Sequence, residues 1–141
     1  MSLKLSVGIT HKRNMVELHS SGRNMRRMIA EINTAYRPSL ILLDGLEAFV
    51  DRGPMTGVKK NAGMLLAGTD RIAIDAVGLA VLRELGSNRA VMETPIFQQE
   101  QISRAVELGL GIDGPGKIDI VTGDAVSAAY AEKLTGILGR G

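Results

Sequence analysis

Residues 40–76 read LILLDGLEAFVDRGPMTGVKKNAGMLLAGTDRIAIDA. Two short apolar runs, Leu40–Leu43 and Met64–Ala67, flank a stretch rich in glycine and charge. Apolar runs of this length between turn-forming residues predict buried strands. The second run leads into an apolar segment that opens at Thr69-Asp70, and either side chain suits a helix N-cap. Asp44 then falls just past the carboxyl end of the first strand, the edge at which open α/β sheets bind ligands.

The helix after Asp70 is unusual. From Ile72 to Leu82 every residue is apolar or glycine except Asp75. A helix that is apolar all round is buried all round. Asp75 is therefore a carboxylate with few exposed places to point, and a buried carboxylate needs partners or a raised pKa. The structural reading has it accept hydrogen bonds from the Gly53–Gly57 loop or pair with a nearby Lys or Arg; the sharper reading is a catalytic acid or base. Asp70 and Asp75 stand too far apart around the helix to act as one pair.

Working outward, Leu3, Leu5, Val7 and Ile9 alternate with Lys4, Ser6 and Gly8, which predicts an opening strand. His11 and His19 follow in a polar stretch without recognised metal-ligand spacing and are expected as exposed loop histidines. Met25, Met28, Ile29, Ile32 and Tyr36 recur at helical spacing, predicting a helix over residues 22–35 that ends before Pro38. Arg23, Arg26 and Arg27 lie off its apolar stripe, as a solvated face or an anion grip. Strand, helix and strand in this order predict a parallel pair. Gly86-Ser87-Asn88 ends the central helix. Thr94-Pro95 opens another, which stops at Gly109. The segment GLGIDGPG (109–116) reads as a loop, Ile118–Thr122 as a last strand and Ala125–Leu138 as a closing helix. The expected fold is one α/β domain over residues 1–141, with a central, mainly parallel sheet and helices on both faces.

The composition narrows the function. The 141 residues contain no Cys, so this chain ligates no iron–sulfur cluster through thiolates and uses no thiolate nucleophile. No apolar run is long enough to span a bilayer and no signal-peptide pattern opens the chain, so a cytoplasmic protein is expected. Residues 1–60 carry ten Lys/Arg and five Asp/Glu, and residues 61–141 carry seven and ten. The basic half suits an anionic partner or a plain solvated surface. With no Trp, two Phe and two Tyr, a base-stacking nucleic-acid module is not expected.

The candidate site lies on the segment Asp44–Asn61, read as a long loop, and long loops in compact domains tend to be functional. Gly53, Thr56, Gly57 and Lys59 offer backbone amides, a hydroxyl and an ammonium for an anionic group, although neither GxxxxGK[ST] nor GxGxxG is present. Asp44, Glu47 and Asp51 are candidate oxygen ligands for a divalent cation. Asp75 would position the loop. One hypothesis is thus an enzyme domain, or part of one, that binds a small anionic molecule or metal here. The other is a non-catalytic docking module, for which an exposed apolar patch around Leu46, Phe49 and Val50 would speak.

Taken together, these residues resemble a family known only as domain-of-unknown-function family 362. The resemblance is carried by His19 ahead of a helix ending in Glu31-Ile32-Asn33, by the strand end Leu40–Gly45, and by Gly53-Pro54 with Gly57. Leu65–Asp75, the segment GLG at Gly109–Gly111 and the ensuing KIDIVTG complete it. The chain departs from the family pattern at Arg52, where Asn is usual before Gly-Pro, and at Asp70-Arg71-Ile72-Ala73, where Asp-Pro-Val-Ala is usual. The resemblance implies a domain that extends further towards the N-terminus, so that this chain is its C-terminal part and a homo-oligomer is a reasonable expectation. It also implies a redox setting, because some relatives carry ferredoxin-like iron–sulfur segments. A cluster would then sit in other segments of the full-length protein, and a ferredoxin-like domain is a candidate partner. It brings no established reaction.

Overall fold

The computed structural model describes residues 1–20, 24–53 and 56–140. The fold is mixed α/β. Its elements are α1 (Ser2–Leu5), a 3-10 turn (Ser6–Ile9), α2 (Lys12–Ser20), α3 (Met25–Ile32), β1 (Ile41–Asp51), β2 (Val58–Gly68), α4 (Arg71–Glu84), α5 (Arg89–Glu93), α6 (Glu100–Glu107) and α7 (Ala125–Leu138).

α4 is the axis of the molecule. Residues from Arg71 to Val81 are almost all buried, as its composition predicts, and the hairpin, α1, α6 and α7 pack around it. Its start is fixed by Asp70, whose Oδ1 accepts the N–H groups of Ile72 and Ala73 at 2.8 Å each. The other oxygen, Oδ2, accepts the Ile112 N–H at 2.9 Å and so ties the glycine-rich loop to the helix. A Cβ on Gly111 would stand 2.5 Å from both carboxylate oxygens, which is why a glycine lies there. Gly109, at φ +66°, ends α6 as its sequence position suggests.

The sheet differs from the expectation. The described residues form one antiparallel pair, β1 against β2, and no parallel sheet. The segment expected as a loop from Asp44 to Asn61 is mostly strand: β1 runs on to Asp51 and β2 begins at Val58. The period-two pattern is concealed because the register slips between Gly45 and Glu47 and again between Phe49 and Asp51. Each bulge moves the following side chains to the opposite face, so strict alternation fails in the sequence while pairing persists. Among the described residues helices cover one face of the hairpin, through α4, and not both.

The opening strand is not formed. Residues 2–9 are helical, held by tertiary hydrogen bonds that override the alternating pattern. The Asp75 carboxylate accepts the Ser2 and Leu3 N–H groups, and Asn33 Nδ2 donates to Leu3 O at 2.9 Å and to Ser6 Oγ at 3.0 Å. The polar stretch around the histidines contains α2, with His19 Nδ1 bonded to Met15 O at 2.7 Å. The helix expected over residues 22–35 begins at Met25, with Gly22 and Arg23 outside the described residues. Ile118–Thr122 pairs with no strand. It runs opposite β2 across two open cavities of about 550 and 460 Å³ that share Leu65, Leu66, Ile120 and Val121 as walls. The closing helix is found as expected. Among the described residues no helix is long and apolar enough to cross a membrane.

Asp70→Ala should lower the unfolding free energy by about 2 kcal/mol, because three N–H groups lose an ionised acceptor. Gly111→Ala should destabilise the parent chain but cost much less in the Asp70→Ala background. Urea denaturation of the two single variants and the double variant measures this coupling.

Candidate functional site

The hairpin and its turn carry Asp44, Glu47, Asp51, Gly53, Thr56, Gly57 and Lys59, and disperse them. The Asp44 carboxylate is exposed, accepts the Leu46 N–H at 2.9 Å, and lies opposite Leu65 in the ladder. Glu47 Oε2 pairs with Lys59 Nζ at 3.0 Å, and that ammonium also stands 5.2 Å over the Phe49 ring. Asp51 pairs with Arg52 at 3.5 Å. Lys59 and Glu47, both expected to meet a ligand, are thus bonded to each other, and Asp51 is paired with Arg52. Among the described residues no three of His, Cys, Asp or Glu come together as a metal site, so Asp44, Glu47 and Asp51 are strung along β1 and not gathered.

Gly53, Thr56 and Gly57 belong to the turn that joins the strands. Pro54 and Met55 lie outside the described residues. Arg52 takes φ +50°, a left-handed conformation rare for a residue with a side chain. A Cβ on Gly57 would collide with the Asp51 carbonyl oxygen. These glycines serve the chain reversal. The cavity beside the hairpin, lined by Met1, Leu43, Asp44, Met64 and Gly78 among others, measures about 220 Å³ and is mainly apolar.

Asp75 is 1% exposed, and its partners are the N–H groups of α1, not the turn and not a Lys or Arg. It caps α1 from across the core. Burial pushes its carboxyl above the usual range, while the amino-terminal ammonium and the Ser2 and Leu3 N–H groups pull the other way. Arg26 and Arg27, candidates for an anion grip, reach Glu100 and Glu107 on α6 at 3.7 Å each and help join α3 to it.

What the sequence reading missed is the outer face of the hairpin. Leu42 is 72% exposed and Leu65 is 74% exposed. Both flank Asp44: Leu42 is two residues before it on β1, and Leu65 is its partner on β2. Leu40 and Leu46 are exposed beside them, while Phe49 is half-buried and Val50 is buried. Val121 and Val126, also exposed, rim the larger cavity beyond β2. The signal was the unbroken apolar character of Leu40–Leu43 and Met64–Ala67. Continuous apolar strands belong to sheets covered on both faces, and here one face is covered.

Asp75 gives a pH dependence whose sign follows from its raised pKa. The folded chain holds this proton to higher pH than the unfolded chain does. Its contribution to stability is therefore largest in acid and falls as pH climbs from the ordinary value of 3.8 through the raised one. Asp75→Asn removes this slope. The difference in Tm between parent and variant, measured from about pH 4 to about pH 8, should change steadily, with the parent losing ground as pH rises.

No curated protein and no solved structure matches the chain. A family match covers residues 1–80, from α1 through the hairpin and most of α4. It stops short of Gly109–Gly111 and the KIDIVTG segment, which the sequence resemblance had included. Because the match takes in more than half of the 141 residues, the chain belongs to the family described as domain of unknown function DUF362.

Proposed function

We propose that this chain is a docking module, and that its partner is the companion part of the same family domain, which adds strands to the hairpin and completes a larger sheet. The observation that carries this reading is the outer face of β1 and β2, where Leu42 and Leu65 lie in the open on strands whose composition suits burial on both sides. β2 also has an edge free of strand pairing among the described residues, and long apolar edges are ordinarily covered. A partner strand along β2 would enter the space between Ala62–Leu66 and Ile120–Thr122 and meet the exposed Val121 and Val126. A parallel pairing, and a cytoplasmic redox setting with an iron–sulfur segment elsewhere in the assembly, would come with the partner. The small-ligand reading of the hairpin is weakened, because Glu47 and Lys59 neutralise one another where the ligand was to bind.

The test uses this chain and a separately expressed polypeptide carrying the preceding part of the family domain from a longer relative. Size-exclusion chromatography with light scattering should show a one-to-one complex. Leu42→Lys with Leu65→Lys should weaken it by about a hundredfold or more, since central apolar anchors dominate such interfaces. Lysine is preferred to aspartate at 65 because like charges would otherwise face each other across the ladder at Asp44. The variant should melt within a few degrees of the parent, as both side chains are exposed. A parent chain that stays monomeric and takes up no partner overturns the reading. So does a complex that the double variant forms equally well.

A further inference from the structure

We infer that the cavity between the end of α3 and the glycine-rich loop is an oxyanion site, built for the phosphate or carboxylate group of a small molecule, with Arg71 as its floor and Arg37 at its rim. The cavity measures about 450 Å³ and is lined by Arg71, Arg37, Tyr36, Thr69 and the loop Leu108–Gly111 among others. That volume is within the range of small-molecule sites. Among the described residues no Asp or Glu lines it.

Arg71 is the unusual member. It is 5% exposed, yet its hydrogen bonds all go to uncharged oxygens. Nη1 donates to Asn33 O at 2.7 Å and to Asn33 Oδ1 at 3.2 Å, and Nη2 donates to Tyr36 O at 2.8 Å. The guanidinium carbon lies 5.0 Å from the centre of the Tyr36 ring. A guanidinium carries five N–H donors, so these bonds leave Nε–H and one Nη2 hydrogen without a partner among the described residues. Asp70, the adjacent carboxylate, is directed instead at the N–H groups of Ile72, Ala73 and Ile112.

Capping the carbonyl end of α3 explains where the guanidinium sits but not how its charge is balanced. A helix carboxyl end offers roughly half a negative charge, against the full charge of Arg71 and that of Arg37, which pairs with no carboxylate among the described residues. Buried charges ordinarily have a counter-ion. An oxyanion in the cavity supplies one, and the paired donors of arginine match carboxylate and phosphate oxygens. The Gly109 and Leu110 N–H groups are not the donors, because they turn back to Val106 and Ala105. This site is separate from the hairpin face and does not depend on the docking proposal.

The test is an amide-resolved NMR titration of the chain with inorganic phosphate and, separately, malonate, with ionic strength held constant by sodium chloride. Saturable shifts at Arg37 and at Thr69–Arg71 with either anion support the site, and the tighter probe identifies the group it prefers. Arg37→Gln, an exposed change that keeps the fold, should bind about tenfold more weakly. Arg71→Met should lose the response. Shifts in the parent that do not saturate, or that chloride reproduces, overturn the proposal. So does an Arg37→Gln chain that titrates like the parent. The Arg37 variant keeps the test decisive if Arg71→Met does not fold.

Discussion

α4 has no polar side, and the rest of the molecule follows from that constraint. A helix of this composition is stable only when every face is covered. The hairpin covers one flank, and α1, α6 and α7 cover the others. The polar groups that accompany it inside are each given a defined task. Asp70 holds its first turn and the glycine-rich loop, Asp75 holds the first turn of α1, and Arg71 holds the last carbonyls after α3. Three segments distant in the chain are thus registered on one helix by charged side chains within its first two turns, where a shift of one residue would leave a buried charge without partners.

Much of the helical framework was legible in the sequence. The caps at Asp70 and Gly109, the all-apolar centre of α4 and the bounds of α7 all rest on local chemistry, and local chemistry decides them. The strands were harder. Two bulges interrupt the alternation of β1 against β2, so a long hairpin looked like two short strands with a loop between them. Residues 2–9 show the opposite failure. Their alternation is genuine, but hydrogen bonds to Asp75 and from Asn33, both distant in the chain, hold them in helical turns. Non-local bonds of this kind leave no trace in a window of neighbouring residues.

How the candidate residues pair was not legible in the sequence. The unusual surface of the hairpin is leucine rather than carboxylate, and its most exposed members, Leu42 and Leu65, lie on either side of the stretch from Asp44 to Lys59. A sequence shows that Glu47 and Lys59 are both charged; only the strand register shows that they reach each other. Arg71 was hidden in the same way, since nothing near it in the chain announces that Asn33 and Tyr36 will surround its guanidinium.

The family match ends at residue 80, inside α4. This boundary falls inside a buried helix. The elements after it, α5 to α7, include two that flank α4 and shield it from water. Residues 1–80 by themselves would therefore leave open to water the flanks of α4 that α6 and α7 cover.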